Sequence, residues 1–403
     1  MMRYFFSLAT RWIIVWLLFP VTVLAQQGTP YPRRPKDLLD VGRDLFHIQS
    51  RPRTGGLKRI YFSILPTSTQ AASPSGFSVT ATTAAFALGE PGNTSLSTVT
   101  FAPYVATQGR LGFSLRSNVW LSGNNWDILG DSRLLYYPQD TWGLGGQPDR
   151  SQRLSINYKY IRFYQTLLKR IKPHLFAGMG ILVDDHYDMD MRGDSLVLRN
   201  FTHYPYGTGA SETSLSTGFS FNLLYDARKN TENPFPGYYA NFVYRTNPVF
   251  PGNTTTWSSV YVDFRKYIPF SRNSQNMLAL WTFYWSVLDS HAPYFDLPSI
   301  GWDPYQQRSG RGFSQNRYRG TSLLYAEAEY RRDITGNGLL GFVLFANANT
   351  VSEPVTEKYI YIHPAAGAGL RIKFNKKSGT NIALDYGMSR SYRGIYLNLG
   401  ETF

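Results

Sequence analysis

The sequence predicts an all-β fold, a transmembrane antiparallel β-barrel of about sixteen strands. Three observations lead to it: a secretory-type N-terminus, no later apolar stretch long enough for a spanning helix, and a regular series of alternating runs separated by turn residues. A membrane protein without spanning helices has to be a closed barrel, because lipid cannot hydrogen-bond open backbone groups. Aromatic residues make up 16% of the chain and charged residues only 17%, which suits a wall with one lipid face and one wet face.

Residues 1–25 have the pattern of a cleaved signal peptide. Arg3 and Arg11 supply positive charge, residues 13–24 are mostly apolar, and Ala25 ends a small-residue cleavage pattern. The apolar run is shorter than the roughly 20 residues that a spanning helix needs, so cleavage is favoured over a retained anchor. The predicted destination is the bacterial outer membrane.

The rest of the chain divides into a short lead and the barrel. Residues 26–57 are rich in Pro and Gly, and we predict a periplasmic segment that is too short for an independent domain. The barrel is predicted over residues 58–403. Its strands are expected near 58–64, 77–88, 97–107, 110–121, 126–138, 151–168, 171–183, 213–226, 237–248, 255–268, 276–288, 321–333, 338–350, 361–374, 379–389 and 393–403.

Alternation of apolar and charged residues assigns the two faces of these strands. In the strand predicted at 321–333, an apolar face alternates with a charged face. The apolar face carries Leu324, Ala326, Ala328 and Tyr330, and the charged face carries Glu327, Glu329 and Arg331. Period two with the apolar face toward lipid is typical of a membrane barrel. The same pattern directs Asp385 inward and predicts that the last strand presents Ile395, Leu397, Leu399 and the C-terminal Phe403 to lipid. An aromatic last residue is typical of the assembly signal of outer-membrane barrels.

Three predicted connections are long, at residues 184–212, 289–320 and 351–360, and most of the others are short. Barrels of this kind carry their long loops on the extracellular side and their short turns on the periplasmic side. The orientation of the chain follows from this rule.

Residue patterns that carry chemistry are missing from the sequence. The six His residues have no metal-ligand spacing, and neither a nucleophile elbow nor a phosphate-binding glycine loop occurs. We therefore predict no enzyme activity, no catalytic residue, no cofactor and no metal. The acidic stretch at residues 184–190 leaves calcium binding open as a weaker alternative to a solvated loop.

The charge balance bears on partners. The net charge of +14 is dispersed along the chain, which argues against nucleic acid and favours anionic lipid headgroups or anionic solutes. The expected lipid partners are those of the outer membrane, lipopolysaccharide and phospholipid. With no Cys, the chain forms no disulfide.

Four segments in order together resemble the BamA/TamA superfamily of outer-membrane proteins, in its bacterial surface antigen branch. The resemblance covers the chain from about Tyr61 to Phe403. The segments are an aspartate–arginine turn (Asp226, Arg228) that ends in Pro236-Gly237 and resembles the family's Pro-x-Gly end, an Arg-Gly-Phe loop tip (Arg311, Gly312, Phe313), a Glu-Tyr-Arg strand (Glu329, Tyr330, Arg331), and the closing strands (Gly367 to Arg371, Asp385 to Gly387, Gly400 to Phe403).

The resemblance implies a long loop that folds back into the barrel and locks there. In the family, the loop arginine pairs with acidic residues on the inner wall, and a guanidinium holds carboxylates in a planar fork. Arg311 would be this arginine, with Gly312 at the turn of the tip and Phe313 packed on the wall. Glu327, Glu329, Asn347 and Asp385 are the candidate lumen partners.

Two departures from the family pattern stand out. Asn347 occupies the position where the family commonly has an aspartate, so the expected contact is a weaker hydrogen bond that Asn347 accepts from Arg311. Residues 26–57 cannot hold the POTRA domains that characterised members carry ahead of the barrel. A separate periplasmic partner protein would then supply that module.

The resemblance implies a role in inserting or exporting outer-membrane or surface proteins or lipids, with the clients unknown. The mechanism implied is lateral opening of a weak seam between the first and last strands. The alternative is a passive pore that prefers anions because Arg308, Arg311, Arg317 and Arg319 lie in the constricting loop.

Overall fold

A computed structural model describes part of the chain, as follows: residues 35–47, 60–65, 81–86, 88, 94–95, 97–105, 109–147, 151–190, 198–209, 213–228, 230, 233–234, 236–250, 252–253, 255–270, 276–289, 291–302, 304–305, 309–376 and 379–403. The predicted signal peptide and the predicted boundaries at residues 25 and 57 lie outside these residues.

The chain is built almost entirely of β-strands. Seventeen are described: β1 Ile60–Leu65, β2 Ala81–Phe86, β3 Ser97–Val105, β4 Leu111–Trp120, β5 Trp126–Tyr136, β6 Gln139–Thr141, β7 Leu154–Lys172, β8 Leu175–Asp190, β9 Ser214–Asp226, β10 Gly237–Asn247, β11 Trp257–Pro269, β12 Met277–Val287, β13 Ser322–Asp333, β14 Leu340–Val351, β15 His363–Asn375, β16 Thr380–Ser389 and β17 Arg393–Leu399. Two short helices, α1 Leu38–Leu45 and α2 Leu198–Thr202, accompany them. In the described part of the chain, no helix has the length and apolar character needed to cross a membrane.

The strands form one antiparallel meander in which each strand pairs with its neighbour in the chain, except at β6. The short β6 pairs only with one end of β7, while β5 pairs with the rest of β7. Each of the sixteen predicted runs corresponds to one strand, although β7 and β8 extend beyond their predicted ends, and β6 is the addition that the sequence did not predict. The all-β antiparallel prediction is therefore confirmed. Among the described residues, no backbone pairing joins β17 to β1.

Burial alternates along the strands as the sequence pattern predicted. In β13, Tyr325, Glu327 and Glu329 are buried, while Leu324 and Ala326, which alternate with them, are exposed. An enclosed charged face and an exposed apolar face are the inverse of a soluble β-protein, because here lipid covers the outside. The lumen is thus the polar and aromatic side of the wall.

The C-terminus differs from the prediction that Phe403 faces lipid. The last strand ends at Leu399, and Gly400 takes a left-handed backbone with φ +84° that turns the chain out of the strand. Phe403 consequently points into the lumen, with its ring centroid 5.2 Å from that of Trp281. Its carbonyl oxygen accepts a hydrogen bond from Arg331 Nη2 at 2.9 Å. Alternation could not be extended past the glycine.

The connection between β12 and β13, residues 288–321, is named the lumen loop. Its described side chains pack with wall residues in two buried apolar clusters. One contains Tyr294 and Phe295 of the loop, and the other contains Phe313 and Tyr318. The lumen loop therefore fills the space inside the sheet, as the inward-folding loop was expected to do.

The acidic stretch that was assigned to the loop at 184–212 belongs instead to a strand. Because β8 extends to Asp190, the connection begins later and contains the single-turn α2. Asp184 is buried, whereas Asp188 is exposed at an irregularity of the β7–β8 pairing, where its backbone has φ +57°. The carboxylates of this stretch do not point to a common site. In the residues that the structure covers, no group of three or more acidic or His side chains could hold a metal ion.

Candidate functional site

Arg311 lies at the tip of the lumen loop, where only 1% of its surface is exposed. Its Nη1 donates to Asp385 Oδ2 at 2.6 Å, and its Nη2 donates to both Glu327 and Glu329. The guanidinium also stacks on Phe345, with Cζ 3.7 Å from the ring centroid. The structure thus brings the loop arginine together with the three acidic residues that the sequence proposed for it.

Two further arginines extend these contacts into what we call the lock network: Arg311, Arg331, Arg371, Glu327, Glu329, Asp385 and Glu401. Arg371 donates to Asp385 Oδ1 at 2.5 Å and to Glu401 Oε2 at 2.7 Å. Arg331 Nε donates to Glu329 Oε1 at 2.5 Å. Ions buried this deeply persist only when each is paired, because desolvation costs several kcal/mol per ion. The network joins the loop tip to β13, β15, β16 and the C-terminal segment.

Gly312 and Phe313 seat the tip against the closing strands. Gly312 has φ +93°, and a Cβ at this position would lie 3.0 Å from the backbone nitrogen of Met388 in β16. Its N–H donates to the Tyr396 hydroxyl of β17 at 2.8 Å. Phe313 is buried and packs edge-on against Tyr318 with ring centroids 6.0 Å apart. A side chain larger than hydrogen at position 312 would push the tip away from the wall.

Asn347 contacts the tip in the opposite sense to the one expected. Its Nδ2 donates to the backbone carbonyl of Arg311 at 2.9 Å, so it does not accept from the guanidinium. Its Oδ1 has no hydrogen-bond partner among the described residues. The guanidinium is already occupied by three carboxylates, which is why the amide turns its donor toward the loop backbone.

The aspartate–arginine turn closes on itself at the short-turn end of β9. Arg228 donates through Nε and Nη2 to the two oxygens of Asp226, at 2.9 and 2.7 Å. Gly237 opens β10 beside this turn, where a Cβ would lie 2.6 Å from the carbonyl oxygen of Ala227. The turn residues Asp226, Arg228, Pro236 and Gly237 are therefore local, and the described contacts do not connect them to the lock network.

A second ionic centre on the wall was missed by the sequence reasoning. Asp184 of β8 accepts from Arg162 Nε at 3.2 Å and from Arg245 Nη1 at 2.7 Å. The hydroxyls of Tyr160 and Tyr164 also donate to this carboxylate, the first at 2.5 Å. All five side chains are buried. We call this group, Asp184, Arg162, Arg245, Tyr160 and Tyr164, the β8 centre.

The β8 centre also holds the lumen loop. Arg162 Nη1 donates to the carbonyl oxygen of Pro304 in the loop at 2.8 Å. Beside it, Ser216 of β9 donates to Asp296 Oδ2 of the loop at 2.7 Å. The loop is consequently anchored on two separate parts of the wall, at its tip by the lock network and at its middle by β7 and β9.

The extra strand β6 makes a third contact with the lumen loop. Asn316 Nδ2 donates to Gln139 Oε1 of β6 at 2.5 Å. A little further on, the N–H of Gly145 donates to the carbonyl oxygen of Arg319 at 2.7 Å. The chain between β5 and β7 thus folds over the lumen loop and covers it on the long-loop side.

Comparison with known proteins identifies the family. The Omp85 superfamily domain matches residues 76–403. The chain belongs to the Omp85 superfamily. This membership covers every strand from β2 to β17 and confirms the resemblance that the loop tip and closing strands indicated. Comparison with curated protein sequences gave no match.

Solved Omp85-type barrels share the fold. BamA from Haemophilus ducreyi lacking POTRA domains 1–3 aligns with a TM-score of 0.52 and 13% identity over 85% of this chain and 69% of that one. CdiB from Escherichia coli aligns at 0.58 and 11%, covering 86% and 63%. CdiB from Acinetobacter baumannii aligns at 0.52 and 12%, covering 86% and 60%. The chain thus spans less than two thirds of either CdiB chain.

Proposed function

We propose that this Omp85 barrel inserts or exports other outer-membrane or surface proteins, or lipids, by opening laterally between β1 and β17. The observation that carries the proposal is the packed lumen loop, which closes the central route and leaves the seam of the sheet as the exit. Strand edges without a partner are templates for an added strand, and β1 and β17 have no described pairing with each other. The proposal includes no catalytic step.

The lock network has a structural part in this mechanism. The loop tip contacts Asp385 of β16 and Tyr396 of β17, so it supports the last strands from inside the barrel. A buried ion pair is costly to break, so the contact between Arg311 and Asp385 should hold β16 in place when the edge of β17 opens away from β1. We infer that the lock keeps the barrel intact while the seam admits a client strand.

The alternative function, an anion-preferring pore, is not favoured by the loop arginines. Arg311 is neutralised by carboxylates, and Arg319 Nη1 donates to the carbonyl oxygen of Tyr294 at 2.6 Å. These two side chains and that of Arg317 are buried, so none of the three presents a positive surface to a passing solute. Arg308 lies outside the described residues.

The deciding experiment is depletion of the protein followed by quantitative proteomics of the outer membrane. Loss of a defined set of surface proteins, restored by the wild-type gene and not by Arg311→Ala, supports the proposal and names the clients. Arg265→Ala is the matched control, because Arg265 is equally buried but pairs with Asp263 of its own strand. An unchanged proteome and lipid composition, with steady anion-selective conductance of the purified protein, would establish the pore instead.

A further inference from the structure

Helix α1 is attached to the short-turn end of the barrel by its polar face. Asp37 caps the helix and also accepts from the backbone N–H of Lys376 at 3.0 Å. Lys376 Nζ donates to Asp40 Oδ2 at 2.5 Å, and this hydrogen bond lowers the pKa of Asp40 below its usual range. The N–H of Lys36 donates to the carbonyl oxygen of Asn337 at 3.2 Å. The helix therefore spans the β13–β14 and β15–β16 turns.

The apolar face of α1 points away from the barrel. Leu45 and Phe46 are 70% and 72% exposed, and Leu38, Leu39 and Val41 are exposed as well. An amphipathic helix on a protein normally buries its apolar stripe and exposes its charges. Here Asp37 and Asp40 face the turns and the apolar side chains face outward, while Lys36, Arg43 and Asp44 are about half exposed or more. The helix therefore needs an apolar surrounding outside the chain.

The apolar surface continues onto the lipid face of the neighbouring turn. Ile334 and Leu340 flank Asn337, the residue that accepts from Lys36, and both are exposed. By alternation they extend the outward faces of β13 and β14, which carry Leu324 and Leu344. The lipid-facing belt thus reaches the turn on which α1 is docked. Because the apolar surface beside α1 is continuous with the lipid-facing surface of the wall, the membrane is the apolar surrounding that fits the helix.

We propose that α1 is an interfacial helix that lies on the periplasmic leaflet of the outer membrane, with its Leu45 and Phe46 side among the phospholipid acyl chains. Helices of this kind lie in the plane of the headgroups with one apolar face buried. Lys36 and Arg43 are half-exposed in ion pairs with Asp44 and Asp40, and at headgroup level lipid phosphate groups can compete for their donors. The helix would then tie the turns before β14 and β16 to the membrane surface. The inference does not depend on the assembly function.

Fluorescent labelling of single cysteines tests this placement directly. The chain has no Cys, so Leu45→Cys and Arg43→Cys each introduce one labelling site in the full-length protein. These positions lie on opposite faces of α1, and both side chains are at least half exposed in the chain itself. The labelled barrels are reconstituted in phosphatidylethanolamine–phosphatidylglycerol vesicles with or without brominated acyl chains. Heat-modified gel migration verifies that each barrel is folded.

The expected result is a blue-shifted emission and at least about twofold stronger bromolipid quenching at position 45 than at position 43. Equal weak quenching at both positions would overturn the proposal. A second outcome would also overturn it: in detergent, the label at position 45 becomes less accessible to solvent as the protein concentration rises. That result would mean that a second copy of the chain covers the apolar face. Phe46→Cys repeats the lipid-side measurement and is expected to follow Leu45→Cys.

Discussion

Arg311 and Asp385 form the contact that ties the lumen loop to the next-to-last strand, with Nη1 and Oδ2 2.6 Å apart. The same carboxylate accepts from Arg371 through its other oxygen, so Asp385 is held between a loop arginine and a wall arginine. Loop position and strand position are thereby coupled through one buried side chain.

Replacing Arg311 by Ala is expected to destabilise the barrel and release the loop tip. Glu329 and Asp385 keep Arg331 and Arg371 as partners, but Glu327 retains only the Tyr325 hydroxyl. An unpaired buried carboxylate typically costs about 3 kcal/mol. We expect the compact, folded band in gel electrophoresis to disappear at a lower temperature than in wild type. We also expect frequent channel openings in planar bilayers.

The control for this prediction is Arg265→Ala, which unpairs Asp263 without touching the loop. It should lower stability to a similar extent while conductance stays at the wild-type level. Equal conductance in Arg311→Ala and wild type would show that the tip does not close the lumen.

The β8 centre predicts that the loop has a second, independent anchor. Arg162→Ala removes the donor to Pro304, while Arg245 still neutralises Asp184. Alone it should cause few openings, because the tip stays locked. Combined with Arg311→Ala it should raise the open probability more than the sum of the two single variants. Additive behaviour, or an Arg265→Ala combination with the same effect, would contradict two-site anchoring.

Strand positions and faces were predictable because lipid outside and polar lumen inside impose a strict period of two. The three acidic partners of Arg311 followed from that period together with the family motif. The β8 centre did not, although Arg162 lies between Tyr160 and Tyr164 on one face of a strand. A strand that extends beyond the membrane resembles a polar loop in sequence, so Asp184 was assigned to the wrong element.

The C-terminus was mispredicted for a backbone reason. Alternation describes a residue only while the chain stays extended, and Gly400 ends that condition. The sequence also could not predict the direction of the Asn347 hydrogen bond. It depends on how many carboxylates already surround the guanidinium, and these come from two strands, β13 and β16.

Restoring the family aspartate at position 347 is expected to weaken this barrel. Asn347→Asp removes the donor to the Arg311 carbonyl and places a new carboxylate directly across the strand pair from Glu327. Like charges at paired positions repel, and the buried oxygen gains no proton donor. Thermal unfolding should occur at a lower temperature than in wild type. Asn347→Ala, which adds no charge, should be destabilised less; the reverse order would mean that the arginine accommodates a fourth carboxylate.

Phe403 can be tested for two different roles, a packing role inside the lumen and a role as the C-terminal assembly signal. The ring packs on Trp281 in the lumen, so Phe403→Ala, which keeps the main-chain oxygen that binds Arg331, should lower the free energy of unfolding of the refolded barrel by about 3 kcal/mol. Phe403→Tyr keeps the aromatic ring and should stay close to wild type in the same assay. If Phe403→Ala is fully stable after refolding in detergent yet fails to accumulate in cells, the residue acts only as an assembly signal and its lumen contacts carry no stability.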